Sequence, residues 1–254
     1  AIQTGEATKY SAIESAEALN YMALAGYDVD TSIQMLPNVL NLAAAGNIEL
    51  AAASDMVTDA QSALGLNIEQ TTDLVDQMAM TASKSNTSVA QLGEGILKIG
   101  GTAKSLAGGT TELNTALGIL ADNGIKSAEG GTHLRNMILS LQTPTDKAAG
   151  WLEELGIQVY DLSTGKMKSL NDIFGQLNGQ IKAMTDEDRD TVLSAIFNKT
   201  DLAAVQAMLA GTASSTEELM IALRGLAVET DNAALSAFTL NGGFEAVRDA
   251  MKNG

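Results

Sequence analysis

The sequence predicts an all-α protein: an irregular bundle of about a dozen short helices with one small β-hairpin near residues 157–168. Three observations favour this fold class. Residues that cap helix N-termini recur along the chain, each followed three positions later by Glu or Gln and then by an apolar run with helical spacing. Glycines follow many of those runs, where they would end a helix. Strand-like alternation of apolar residues is confined to one segment, residues 156–170.

The helix N-termini are predicted from pairs with capping-box spacing, in which the first side chain accepts a hydrogen bond from the backbone N–H of the second residue. The pairs are Ser11 with Glu14, Thr31 with Gln34, Asn67 with Gln70, Ser88 with Gln91, and Ser215 with Glu218. Glycines in the left-handed conformation should end helices at Gly26, Gly46, Gly65, Gly124, Gly156 and Gly211.

These signals predict helices in the order of the chain, at residues 11–25, 31–45, 48–64, 68–84, 88–106, 111–122, 128–141, 145–155, 170–184, 186–197, 201–210, 216–238 and 242–252. Pro37 falls inside the second helix and should kink it or start a new helix there. The spacing of Gly26, Gly46 and Gly65, 20 and then 19 residues, would also fit a helical repeat array. The spacing drifts further along the chain, which favours the irregular bundle.

The segment GIQVYDLSTGKMKSL at residues 156–170 predicts the hairpin, with a turn at Thr164 and Gly165. An isolated hairpin is marginally stable, so we expect it to lie against helices. This segment divides the chain into a helical domain at residues 1–155, the hairpin with its packed helices at residues 156–214, and a C-terminal helical segment at residues 215–254. We expect that last segment to continue in a longer parent protein.

The composition narrows the classes of partner. Lys and Arg number 15 and Asp and Glu 31, which gives a net charge of −16. That charge repels nucleic acid and anionic membrane surfaces, favours basic protein partners, and also keeps a domain in solution.

Cysteine is absent, which excludes disulfides, thiolate catalysis and cysteine-based zinc sites. No apolar run reaches the roughly 18 residues of a membrane span and no basic, apolar leader is visible, so we expect neither membrane insertion by this segment nor secretion.

Two features must be weighed as chemical sites. His133 is the single histidine, and metal sites built on imidazole usually need several such ligands, so we expect a packing or surface role for it. Asp186, Glu187, Asp188 and Asp190 form the densest carboxylate cluster and follow Thr185 at the start of a predicted helix. Carboxylates there complement the helix dipole, which favours an N-terminal turn over a metal or acid–base site.

A calcium loop is suggested by Asp28, Asp30 and Ser32 but is rejected. Ile33 stands at the sixth position, where the loop needs glycine, and Val39 stands at the twelfth, where glutamate must close it. The carboxylates at the start of this segment therefore have another role.

A phosphate-binding loop is suggested by the spacing of Gly95 and Gly100, but Gly101 stands where the motif requires lysine. No Gly-x-Ser-x-Gly nucleophile elbow occurs in the sequence. We therefore predict no catalytic, cofactor-binding or metal-binding residues in this chain.

Several blocks resemble a known family. They are residues 11–67, residues 82–108 (ASKSNTSVAQLGEGILKIGGTAKSLAG), residues 113–138 (LNTALGILAD followed by NGIKSAEGGTHLRNMI), the segment from residue 156 to residue 174, and residues 185–200 (TDEDRDTVLSAIFNKT). Together they resemble phage tail tape measure proteins over roughly residues 8–210. The last block departs from the family, which often has Phe-Gly where this chain has Phe197-Asn198.

The resemblance implies a structural and assembly role without catalysis. Tape measure proteins are long helical chains that occupy the tail tube, set its length and leave with the genome at infection. The matched region resembles their compact helical region toward the N-terminal side of the tape. The implied partners are the tail tube protein and the tail assembly chaperones, and the implied locations are the virion tail tube and the host cytoplasm during assembly.

Two alternatives remain open at this point. One is an acidic helical scaffold or adaptor of the bacterial cytosol, and the other is a cell-wall hydrolase domain. Self-association of the chain is also left open.

Overall fold

The computed structural model describes residues 10–214 and is built from α-helices. Over residues 10–80 lie α1 (Ala12–Leu24), α2 (Val29–Gly46), α3 (Leu50–Leu64) and the greater part of α4 (Ile68–Lys84). Then follow α5 (Val89–Ile99), α6 (Gly109–Asp122), α7 (Ser127–Gln142), α8 (Asp146–Glu154), α9 (Leu170–Ile181), α10 (Asp186–Ile196) and α11 (Leu202–Ser214). The all-α class is confirmed for this part of the chain. The helices predicted at residues 216–238 and 242–252, and the cap pair Ser215 with Glu218, lie outside the described residues.

The described residues fall into two compact units, one holding residues 10–80 and the other residues 81–214. In the first unit α1, α2 and α3 each pack against the other two. Their shared core is aliphatic and rich in methionine and alanine, as Met22, Met35 and Leu40 show by their complete burial. The division predicted from the sequence, at residues 1–155, 156–214 and 215–254, stays a prediction.

The second unit is organised around the pairing of α5 with α7, the most extensive contact between two helices in the described part of the chain. Around it, α11 packs on α9 and α6, and α10 packs on α8. Phe174 of α9 stacks on Phe197 at the end of α10, with ring centroids 5.9 Å apart and an interplanar angle of 11°. This pair supplies a rare aromatic anchor in a core of small and aliphatic side chains.

Three of the predicted N-terminal caps are confirmed. Ser11 and Glu14 form a reciprocal capping box, and Asn67 and Gln70 exchange the same pair of bonds at 2.8 and 3.0 Å. Ser88 accepts from the Gln91 N–H. The prediction for Thr31 was wrong, because Asp28 three residues earlier accepts the Thr31 N–H at 2.9 Å and starts α2 at Val29.

The predicted glycine C-caps are confirmed at four positions, where the backbone is left-handed: Gly26, Gly65, Gly124 and Gly156. Two predictions were wrong. Gly46 is the last residue of α2, and Asn47 takes the left-handed conformation (φ 47°), which asparagine tolerates better than most residues. Gly211 lies inside α11, where its missing side chain makes room for a neighbouring helix.

The β-hairpin near residues 157–168 is not formed, and this prediction is corrected. Within the described range this segment contains one isolated antiparallel bridge, between Tyr160 and Met167. The carboxylate of Asp161 accepts the backbone N–H groups of Ser163 and Thr164 at 2.9 and 2.8 Å. Two backbone bonds flank the bridge, because the Asp161 N–H donates to the Lys166 carbonyl and the Lys168 N–H donates to the Val159 carbonyl, both at 2.8 Å. The second arm ends at Lys168, since Ser169 already caps α9, so this short pairing does not extend into strands. The segment is a turn-rich connection between α8 and α9.

The helix predicted at residues 88–106 is interrupted. α5 ends at Ile99, Gly100 adopts φ 53°, and a 3₁₀-helix continues over Gly100–Ser105. Pro37 does not start a new helix, since α2 runs continuously across it.

Candidate functional site

The crossing of α5 and α7 depends on glycine. A Cβ atom on Gly131 would lie 2.1 Å from the carbonyl oxygen of Gly95 and 2.8 Å from the Gly95 Cα. No side chain fits in that space, so the two backbones are in direct contact. This contact brings together two of the sequence blocks that carry the family resemblance, residues 82–108 and residues 113–138.

The first turn of α7 is shaped by the same contact. A Cβ on Gly95 would lie 3.1 Å from the Ser127 carbonyl oxygen, and a Cβ on Gly130 would lie 3.1 Å from the Ile125 carbonyl oxygen. Ser127 itself has a left-handed backbone (φ 58°), which is uncommon outside glycine. Its hydroxyl donates to the Glu94 carboxylate of α5. A polar contact therefore reinforces the glycine contact at one end of the crossing.

The loop before α5 is tied to the end of α6. The Asn86 N–H donates to the Asp122 carboxylate at 2.6 Å. Asn123 donates its side-chain amide to the Ile119 carbonyl at 2.9 Å, and Gly124 follows in the left-handed conformation. These bonds hold the residues before α7 in the position from which that helix enters the crossing.

Glu112 is a buried carboxylate that joins two helix N-termini. It lies in the first turn of α6, is 5% exposed, and accepts the Gly108 N–H at 2.8 Å and the Leu170 N–H of α9. Burial raises the pKa of Glu112 above its ordinary value, the two backbone donors oppose that shift, and the charge of Asp172 adds to it. The carboxylate is thus used as a structural acceptor between α6 and α9.

Asp201 is a second buried carboxylate, 1% exposed. His133 Nδ1 lies 2.6 Å from its Oδ1, the side-chain amide of Asn136 donates to the same oxygen at 3.1 Å, and that of Asn198 donates to Oδ2 at 3.2 Å. The group joins α7 to the start of α11. His133, for which the sequence predicted a packing or surface role, is a part-buried member of this polar group.

The His133–Asp201 pair does not form a nucleophilic triad. In such a triad the second ring nitrogen faces a hydroxyl group. Here His133 Nε2 faces the exposed Glu129 carboxylate, 3.8 Å away on the preceding turn of α7. Both ring nitrogens thus face carboxylate oxygens, an arrangement that holds the imidazole in place.

The acidic cluster at residues 186–190 forms the first turn of α10. Thr185 caps the helix by accepting the Asp188 N–H at 3.2 Å, and its hydroxyl donates to the Asp188 carboxylate at 2.7 Å. Arg189 pairs with Asp186. The carboxylates lie near the positive end of the helix dipole, as the sequence predicted for a helix start.

The segment rejected as a calcium loop is a helix N-terminus, and the segment rejected as a phosphate loop is the second half of α5 with its C-cap. Asp28 is the N-cap of α2, and bonds from the Thr31 backbone and side chain lower the pKa of its carboxyl group below the ordinary value. Gly95 lies inside α5, and Gly100 turns the chain at the end of that helix. Within residues 10–214, no three His, Asp or Glu side chains are grouped closely enough to hold a metal ion.

Two shallow grooves mark the surface of the second unit. One, of about 530 Å³, is lined by α7 and the end of α10 and includes Asn136, Ser140 and Asn198. The other, of about 620 Å³, lies between α9, α10 and α11 and includes Lys182, Arg189 and Asp190. The lining of neither groove includes His133 or Glu112. In the described part of the chain, none of the helices has the length and apolar character needed to cross a membrane.

Sequence reasoning missed Glu112, Asp201 and the contact between Gly95 and Gly131. Glu112 follows the N-cap residue Gly108 by four positions and bonds back to its N–H, so a search for caps that allowed glycine would have found one of its two bonds. Asp201 pairs with a histidine 68 residues away. No local pattern announces such a partner.

Comparison with known proteins assigns the chain to a family. The model of the phage-related minor tail protein family matches residues 1–198, which is most of the chain. The chain therefore belongs to the phage-related minor tail protein family. No significant match to a solved structure was found.

Two relatives carry more specific names. The chain is 29% identical over 255 aligned residues to a tape measure protein of Pneumococcus phage Dp-1, an alignment that covers 97% of this chain and 22% of the relative. It is 25% identical over 256 aligned residues to a probable tape measure protein of Escherichia phage P2, covering 98% of this chain and 31% of the relative. The chain thus spans less than a third of the length of these curated relatives.

Proposed function

We propose that this chain is a segment of a tail tape measure protein, a structural and assembly component that helps to set the length of a phage or prophage tail tube and leaves the tube at infection. The observation that carries the proposal is the alignment with the Dp-1 tape measure protein along 97% of this chain. The second relative, from phage P2, supports it over a similar span.

The described helices favour a compact assembly region over the measuring rod itself. Their longest member, α2, has 18 residues, which corresponds to roughly 27 Å of helix. A measuring rod needs helix that continues far beyond this. We infer that the rod belongs to other parts of the parent protein. We also infer that this segment makes contacts with other proteins during assembly, through the domains predicted at residues 1–155, 156–214 and 215–254.

The partners that follow from this role are the tail tube protein and the tail assembly chaperones. The protein would be found in the virion tail tube, and in the host cytoplasm while tails are assembled. We infer that the segment is not an enzyme. In support, the two most deeply buried carboxylates of the described residues, Glu112 and Asp201, are both bonded to groups of neighbouring elements.

The test uses a phage or prophage that encodes this chain. Gly131→Leu should separate α5 from α7 and prevent the segment from folding, while Gly150→Ala, at a helical glycine with no atom within 4 Å of an added Cβ, should leave it intact. We expect electron micrographs of the Gly131→Leu lysate to show capsids without tails or tubes of irregular length, with a matching loss of plaques. The Gly150→Ala phage should form normal tails.

A phage with an in-frame deletion of residues 10–214 tests whether the proposal is wrong. If this deletion phage forms tails of wild-type length and number, the segment has no role in tail assembly. Mass spectrometry of purified tails from the unmodified phage separates the rival class, because a cytosolic adaptor would be absent from the particle. Release of fragments from purified peptidoglycan by the isolated protein would instead support a hydrolase.

A further inference from the structure

The corner between α1 and α2 exposes apolar side chains. Leu24 is 77% exposed, Val29 73% and Ile33 54%, while Tyr21 is 37% exposed. We define these four residues as the α1–α2 corner. Large apolar side chains scattered singly over a surface are ordinary. Four of them at one junction of two helices suggest a contact surface.

The geometry of the chain keeps the four residues together. Leu24 ends α1 and Val29 begins α2, so only four residues separate them. The connection is tight, since the Gly26 N–H donates to the Ala23 carbonyl and the Tyr27 N–H donates to the Met22 carbonyl. Tyr21 lies one turn before Leu24, and Ile33 one turn after Val29, which places each pair on a shared helix face. The corner therefore consists of two exposed apolar pairs on either side of a tight turn.

Over residues 10–80, the described residues of the unit that carries the corner, the charged side chains are of a single sign. Residues 10–80 contain ten carboxylates and no Lys, Arg or His. The carboxylates are Glu14, Glu17, Asp28, Asp30, Glu49, Asp55, Asp59, Glu69, Asp73 and Asp76. Residues 81–214, by contrast, contain 14 carboxylates and 11 Lys or Arg side chains. The excess of negative charge in the described residues is thus concentrated in the unit that carries the corner.

We propose that the α1–α2 corner is the docking site of a cationic amphipathic helix from a partner protein. The partner's apolar face would cover Leu24, Val29 and Ile33, and its Lys and Arg side chains would lie beside the exposed carboxylates of Asp28 and Asp30. In contacts of this kind, the bound helix inserts apolar side chains that are spaced three, four and seven residues apart along its sequence. The proposal does not depend on the tail role, because it rests on this surface and its charge alone.

The negative charge of this unit also disfavours other possible ligands of the α1–α2 corner. A second copy would bring an equally acidic corner against the first, and like charges across an interface oppose association. Nucleic acid and anionic lipid are repelled for the same reason. A basic helix gains both from burial of the aliphatic side chains and from long-range attraction, which should speed its association.

The test measures binding of a synthetic peptide to the full chain by titration calorimetry. The probe is a helical Leu/Lys peptide of about 18 residues, five turns long, with all leucines on one face. One control peptide has the same composition in scrambled order, and a second has Glu in place of Lys. We expect the amphipathic cationic peptide to bind about tenfold or more tightly than either control, and about 1 M salt should weaken its binding.

Matched variants locate the site. The double variant Leu24→Ser, Val29→Ser should weaken binding about tenfold or more, because two aliphatic contacts are lost. Leu162→Ser, which alters a leucine 90% exposed in the other unit, should leave binding unchanged. Asp30→Asn should weaken binding at low salt. Glu153→Gln removes a carboxylate that is also exposed but lies in the other unit, and it should leave binding unchanged. All the altered side chains are exposed, so circular dichroism should match the wild type.

Three results would overturn the proposal. Equal binding of the scrambled peptide would show attraction by charge without a docking site. Unchanged binding in the Leu24→Ser, Val29→Ser variant would place the peptide elsewhere. Self-association of the wild type in sedimentation experiments, lost in that variant, would show that a second copy occupies the corner. Normal tails from a phage lacking residues 10–214 would refute the tail role and leave these outcomes unaffected.

Discussion

The α-carbon of Gly131 in α7 lies so close to the carbonyl group of Gly95 in α5 that an added Cβ would be 2.1 Å from the carbonyl oxygen. The obstacle is backbone, which cannot move away by changing a rotamer. A side chain at position 131 therefore forces the two helices apart, because no neighbouring side chain can move to make room for it. The most extensive helix pair of the second unit thus tolerates only glycine at Gly131.

Gly131→Ala should lower the free energy of unfolding by at least about 3 kcal/mol, the upper part of the usual range for overpacking. Gly150→Ala is the matched control, since Gly150 lies within α8 and an added Cβ there would have no atom within 4 Å. That change should raise stability by about 0.5–1 kcal/mol, because alanine favours the helix. Urea denaturation of both variants measures the contrast. Equal effects of the two changes would refute the importance of the contact.

Gly211 makes a second close contact, this time with a side chain. A Cβ on Gly211 would lie 2.6 Å from Cγ2 of Ile119 in α6. Gly211→Ala should therefore destabilise the protein by about 1–3 kcal/mol. In an Ile119→Ala background the same change should be much less harmful, and a double-mutant cycle gives the coupling. Additive effects of the two substitutions would show that the residues do not interact.

His133→Ala should destabilise the fold by about 1–3 kcal/mol, because it removes one partner of the buried Asp201 carboxylate and leaves two amide donors. The loss should shrink in an Asp201→Asn background, where the buried group carries no charge. Glu129→Gln is the control. Its carboxylate is 68% exposed and should contribute less than about 0.5 kcal/mol. Thermal and urea unfolding measure all these proteins, and an undiminished loss in the Asp201→Asn background would contradict the pairing.

Local signals predicted much of the fold, and competition between neighbouring signals explains the errors. Asn67 with Gln70 and Gly65 had no rival nearby, and both predictions were confirmed. Asp28 and Thr31 lie three residues apart and both residue types cap helices well. The Asp28 carboxylate accepts the Thr31 N–H, so the helix begins after Asp28 and Thr31 lies in its first turn. Boundary predictions fail at such places because two alternatives differ by a fraction of one hydrogen bond's energy.

The candidate site could not be predicted in the same way, because its contacts join distant parts of the chain. Gly95 and Gly131 are 36 residues apart, and each resembles an ordinary helical glycine in sequence. His133 and Asp201 are 68 residues apart. The predicted hairpin is reduced to a single bridge for a local reason. Apolar alternation favours two strands, but the N-cap at Ser169 starts the next helix and leaves the second arm too short for a strand. The side chain of Asp161 binds the backbone of the turn between the two arms.

Asp161 offers a direct test of that turn. Hydrogen bonds from Ser163 and Thr164 lower the pKa of its carboxyl group from 3.8 to about 2. Because the pKa is depressed in the fold, the stability that Asp161 contributes is present above pH 3.8 and is lost as the pH falls through about 2. Carbon-detected NMR titration should give the low value in the wild type and a higher one in Ser163→Ala. An unchanged pKa in that variant would show that the Ser163 hydroxyl does not hold the turn.

Glu112 should show the opposite dependence on pH. Burial raises its pKa above 4.5, so its contribution to stability is fully present below that pH and is lost as the pH rises through the folded-state pKa. Glu112→Gln removes this titration. It also destabilises the protein by about 1–3 kcal/mol, because the amide has one acceptor oxygen for the two N–H groups of Gly108 and Leu170.

The stability advantage of the wild type over Glu112→Gln should therefore be greatest below pH 4.5 and should decrease as the pH rises above it. Urea denaturation at a series of pH values measures this difference directly. If the advantage of Glu112 instead grew with pH, the two backbone donors would outweigh burial. The carboxylate would then stabilise the junction of α6 and α9 chiefly through its charge.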